Sequence, residues 1–103
     1  MEQAAPSFVL EGIVTSQDRI RLEVLLSNLL DEIGPRRLFP ISLTSVSLEY
    51  PDGEVRPTVR MRLSGCYSAF IPNCSVSSVI EDPKNKKVTF EYRGFNFLVE
   101  SVS

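Results

Sequence analysis

Residues 15–35, TSQDRIRLEVLLSNLLDEIGP, decide the fold class of this 103-residue chain. Leu22, Leu25, Leu26, Leu29, Leu30 and Ile33 recur three and four positions apart, which is one broad apolar stripe along a helix. Thr15 and Ser16 offer side-chain oxygens to the unpaired N–H groups of a first turn, and Asp18 suits the positive end of the helix dipole. Gly34 permits a left-handed cap and Pro35 cannot continue the helix, so the expected element runs from about Gln17 to Ile33. A helix with one apolar face needs a surface to cover, and the remainder of the chain supplies strands.

Upstream, Met1 to Pro6 read as a loose lead-in. Phe8 to Val14 read as a strand, with Phe8 and Leu10 on one face, Val9 on the other, and a bulge or close backbone approach at Gly12. Downstream the period changes to two. Ile41 and Leu43 share one parity and Val46, Leu48 and Tyr50 the other, so the phase switch at Thr44-Ser45 is a β-bulge or a break between strands. Pro51-Asp52-Gly53 is a turn. Beyond it Val55, Val59, Met61 and Leu63 alternate with Arg56, Thr58, Arg60 and Arg62, and Pro57 puts that strand at a sheet edge or starts it after the proline.

Tyr67 to Ile71 reads as a short strand ending at Pro72, and Ser75 to Ile80 as another strand or a single helical turn. Asp82 to Lys87 is a solvated turn. Val88, Phe90 and Tyr92 alternate, Gly94 breaks the phase, and Phe95, Phe97 and Val99 resume it, as in a final hairpin or one bulged strand. The class is therefore α+β: one domain over 1–103, with one long helix packed on a mostly antiparallel sheet in the order β-α-β-β-β-β. Barrel-like closure of that sheet is an option.

The composition removes several chemistries. There is no histidine, the commonest general base and zinc ligand. The glycines at 12, 34, 53, 65 and 94 are isolated, so no phosphate-cradling loop is present. No serine lies in a nucleophile-elbow setting, and the carboxylates do not cluster as a metal cage. The expectation is a chain that is not an enzyme and holds no cofactor or metal. A carboxylate-only active site is the remaining catalytic option.

A net charge of −2 gives no global pull toward nucleic acid or anionic membranes. No apolar run is long enough to cross a bilayer, and Met1-Glu2-Gln3 opens no signal peptide. The expected location is intracellular, with Cys66 and Cys74 as free thiols, a residue type commonly buried.

The candidate binding residues are Arg56, Arg60, Arg62, Tyr92 and Phe95. Three guanidinium groups on one strand face suit phosphate or a carboxylate-rich partner, or else pair across strands with acids such as Glu49, Glu54 or Glu91. Phe90, Tyr92, Phe95 and Phe97 suit core packing, with Tyr92 and Phe95 as stacking or interface candidates.

One family resemblance runs through these pieces. Val9-Leu10-Glu11-Gly12-Ile13-Val14, with the helix through Leu22-Glu23-Val24-Leu25-Leu26 and Leu29, resembles the strand–helix start of the Mediator head-module subunit 18 family. Val59-Arg60-Met61-Arg62-Leu63 is similar to its arginine-bearing strand, and Phe90-Glu91-Tyr92-Arg93-Gly94-Phe95-Asn96-Phe97 to its aromatic–glycine–aromatic segment. Members of that family are usually longer and carry an elaborated barrel. They are structurally related to tunnel-shaped triphosphatases, whose alternating N-terminal glutamates bind metal. Here the matching strand offers Glu11 alone, so that chemistry is expected to be absent.

The resemblance implies a non-catalytic subunit of a transcription coactivator, docking a sibling subunit or a peptide helix. The expected function is a protein–protein interaction subunit of a larger assembly, possible in two other forms. One is a nucleic-acid or phospholigand binder using the arginine face. The other is a self-assembling homodimer formed by sheet packing or edge pairing.

Overall fold

The structure, a computed structural model, describes residues 9–11, 15–33, 42–72 and 76–102. Its elements in chain order are β1 (Val9–Glu11), α1 (Ser16–Ile33), β2 (Ser42–Glu49), β3 (Thr58–Ser64), a 3-10 helix (Tyr67–Phe70), β4 (Val76–Asp82), β5 (Lys87–Tyr92) and β6 (Phe95–Ser101). The expected lead-in at Met1–Pro6, the Gly12 bulge, the Gly34-Pro35 stop and Cys74 lie outside the described residues.

The helix starts where its chemistry requires. The Asp18 N–H donates to Thr15 Oγ1 at 3.0 Å, and the Arg19 N–H to the Thr15 carbonyl at 3.2 Å. Thr15 thus caps the first turn. Leu22, Leu25, Leu26 and Leu29 are buried, while Ile20 and Val24 on the opposite side of α1 are exposed. A second tie to the sheet is polar: the Tyr50 hydroxyl, just past β2, donates to Asp18 Oδ1 at 2.9 Å.

The strands form one six-stranded sheet in the order β1-β2-β3-β6-β5-β4. Pairs β1–β2 and β3–β6 are parallel, and β2–β3, β6–β5 and β5–β4 are antiparallel. The sheet is mixed and mostly antiparallel, as expected for a chain with a single long crossover helix. Among the described residues β1 and β4 are its two edges and do not pair, so the barrel-like option does not hold. One face carries the core: Val46, Leu48, Val59, Met61 and Leu63 from β2 and β3, with their counterparts on β5 and β6 meeting the leucine stripe of α1.

Several local expectations are met at named positions. The register of β2 on β3 slips between Leu43 and Ser45, so the phase switch is a bulge at Thr44 within one strand. β3 begins at Thr58, directly after Pro57, whose carbonyl accepts the Asn96 N–H at 3.0 Å. Val76–Asp82 is a strand and not a helical turn.

β5 and β6 form a two-residue hairpin in which Arg93 and Gly94 both have positive φ, +48° and +83°. That is the type I′ turn, whose twist matches the flanking strands. Gly94→Ala should therefore cost about 1–2 kcal/mol of stability, from backbone strain alone. Nothing lies within 4 Å of the Cβ it would add, so chemical denaturation reads the strain without a clash.

Three expectations are corrected. Tyr67 to Phe70 is a 3-10 helix, with the Ala69 N–H on the Cys66 carbonyl at 3.1 Å and the Ile71 N–H on the Ser68 carbonyl at 3.2 Å. Its reason is the burial of Phe70 and partial burial of Tyr67, three positions apart on one side of a tight turn. Val55 does not share the face of Val59: it is 96 % exposed, in the turn before β3 begins. Cys66 is exposed, although free cysteines are commonly buried, because it sits outside the core at the start of that 3-10 helix.

Candidate interaction surface

With α1 on one face, the other face of the sheet carries the alternate residues of each strand. Arg60 and Arg62 point there from β3, beside Leu98 and Glu100 of β6 in parallel register. Arg60 Nε donates to Glu100 Oε1 at 2.8 Å and Arg62 Nε to the same oxygen at 3.1 Å. Arg56 Nη1 reaches Glu91 Oε2 at 3.1 Å. All three arginines of the candidate set thus hold a carboxylate, Arg60 and Arg62 across the β3–β6 ladder and Arg56 from the turn before β3. Glu91 was among the acids expected, and Glu100 was the one missed.

Glu100 reports the electrostatics of this face. Burial pushes its carboxyl pKa up, but the hydrogen bonds and charges of Arg60 and Arg62 outweigh burial and hold it below the ordinary value. Arg60 is raised in turn, first by its bond to Glu100. A carboxylate whose pKa is lower in the folded state adds stability that is present above its unfolded value of about 4.3 and lost as pH falls through the folded one. Glu100→Gln should flatten the loss of stability between neutral and acid pH, with a neutral-pH cost of about 1 kcal/mol because both arginines are partly solvated. Denaturation midpoints measured across that range check it; an unchanged acid slope would remove Glu100 from the account.

The two aromatic candidates are elsewhere. Tyr92 is 1 % exposed, its ring edge-on to Phe97 at 5.8 Å between centroids. Its hydroxyl accepts from Arg93 Nε at 3.1 Å, and burial, followed by a hydrogen bond with Glu32, raises its pKa. A ring so enclosed has no face left for a stacking base. Phe95 is half-buried, with the Arg21 guanidinium of α1 at 5.5 Å from its centroid. Tyr92 and Phe95 pair across the hairpin on the helix side, so the structure does not bring them to the arginines.

No family model, curated protein or solved structure matches this chain.

The surface that sequence reading missed is the outer edge of β4. Among the described residues this seven-residue strand pairs with β5 alone, and Val79 and Ile80 on it are 44 % and 67 % exposed. Its register on β5 slips between Ser77 and Ile80, where Ser78 takes a φ of +57°. The available signal was the pair Val79-Ile80 behind two serines that interrupt the alternation; nothing in the one-dimensional pattern marks a strand as outermost. At the other edge the described part of β1 has only three residues.

Other chemistry on the described residues is sparse. They include no group of three metal-ligating side chains and no helix long and apolar enough to cross a membrane. Cys66 is a free thiol whose Sγ lies 3.0 Å from Ser68 Oγ, and that hydrogen bond lowers its pKa.

Proposed function

We propose that this chain is a non-catalytic protein-interaction domain whose contact surface is the outer edge of β4. The observation that carries the reading is that edge itself: a seven-residue outer strand displaying Val79 and Ile80. An unpaired strand edge offers a row of backbone donors and acceptors to any extended segment laid beside it. The arginine face supports a nucleic-acid reading less well, because Arg56, Arg60 and Arg62 each already hold a carboxylate.

The resemblance of the strand–helix opening, the arginine strand and the aromatic–glycine–aromatic segment to the Mediator head-module subunit 18 family adds a transcription-related assembly to this reading. The experiment is affinity capture of the tagged chain and of Val79→Lys from native lysate, each with a nuclease-treated control. Partners that survive nuclease and disappear with Val79→Lys are the expected result, and coactivator subunits among them would carry the transcriptional part. Partners that disappear with nuclease, or that Val79→Lys retains in full, would sink the edge reading.

A further inference from the structure

We propose that the occupant of the β4 edge is a second copy of this chain, paired antiparallel about a two-fold axis at the Ser78–Val79 bulge. The inference rests on the reading of β4 as the docking edge. Ser77 lies opposite Glu91 and Ile80 opposite Thr89, both on the open face of the sheet. Val76 lies opposite Tyr92 and Glu81 opposite Val88, both on the helix side. Ser78 and Val79 fall between these pairs, together opposite Phe90.

The order of faces along the strand therefore reads the same from either end. A regular strand can slide two residues at a time and keep its faces matched. The bulge removes that freedom and leaves one register: Ser78 against the partner's Val79, Ser77 against the partner's Ile80, and Val76 against the partner's Glu81. In that register the two sheets continue into each other with helix side beside helix side. The exposed Val79 and Ile80 of both copies then gather around the axis.

Charge selects this arrangement over the alternatives. The outer strand ends in two acids, Glu81 and Asp82. A parallel in-register pairing would set each acid against its own kind, which is unfavourable. A shifted parallel pairing joins unlike surfaces and does not close. Turned antiparallel, Glu81 faces the partner's Val76 and the acids of the two copies move to opposite ends of the ladder. The contact is a single strand pair, so the dimer should depend on concentration.

The test is sedimentation equilibrium of the full chain over a dilution series, alone and with Val79→Lys and Val79→Glu. The wild-type chain should move from one chain mass to two as concentration rises. Each variant should remain at one chain mass with an unchanged circular dichroism spectrum, since the position is exposed. An equimolar mixture of the two variants should recover the two-chain mass, because opposite charges at position 79 then meet near the axis. A wild-type chain that stays at one mass, variants that still dimerise, or a mixture that does not recover would each overturn the proposal. If the wild-type chain stays single while Val79→Lys loses its nuclease-resistant partners, only the second-copy proposal falls. If Val79→Lys keeps those partners, the edge reading falls with it.

Discussion

Phe97→Ala should lower the unfolding free energy by about 3–5 kcal/mol, the usual cost of emptying a buried aromatic site. Phe97 is 1 % exposed and sits on β6, which is paired on both sides, to β3 and to β5. Its ring stacks on Phe90 at 5.3 Å with planes 4° apart and meets Tyr92 edge-on. Each of those neighbours is held by a strand ladder, so the walls of the vacated site cannot close inward. A domain of this size commonly has 5–15 kcal/mol in total, so the variant should approach the limit of folding at room temperature. Urea denaturation followed by circular dichroism gives the number, and a loss below about 2 kcal/mol would mean that the sheet relaxes far more than its ladders suggest.

Leu29→Ala is the second large effect, expected at about 2–4 kcal/mol and smaller than that of Phe97→Ala. Leu29 is fully buried in the stripe of α1. The difference lies in what surrounds the hole. The helix meets the sheet mainly through side chains, so α1 can settle toward the sheet after truncation, while β6 cannot leave its two ladders. The order of the two losses is the checkable content. A larger loss at Leu29 would show that the helix is held more rigidly than the sheet.

The parts of this fold that were legible in sequence are those where one residue type has one physical reason to be where it is. The leucine stripe required a helix, and Thr15 and Asp18 fixed its start. The parity change at Thr44-Ser45 marked a bulge or a strand break and Gly94 a hairpin or one bulged strand, and the strand pairing decides for the bulge and the hairpin. The failures have an equally specific cause. Val55 fits the alternation of β3, but Pro57 delays the strand, and periodicity carries no information about where hydrogen bonding begins. Tyr67 and Phe70 are compatible with either period over so short a run, and only the core they cap decides between them.

The arginine face was half legible. That Arg60 and Arg62 share one side followed from alternation, while Arg56 reaches Glu91 from the turn before β3. That Glu100 serves two of them depended on β6 lying beside β3 in parallel, and strand order is not written in local pattern. The edge position of β4 was hidden for the same reason, and with it the surface on which the functional proposal rests.

The seam between β3 and β6 has a consequence for how this domain is made. It joins residues far apart in the chain, Arg60 and Glu100 being 40 positions from each other, while β4, β5 and β6 are near neighbours linked by short turns. Local hairpins close quickly and distant parallel pairings slowly. On the ribosome, β3 emerges well before the strand that covers its second side. Until Phe95–Ser101 arrives, Val59, Met61 and Leu63 lie on an unfinished edge. Until β6 pairs with it, that side of β3 is an edge open to wrong partners, so the seam is a late step in folding.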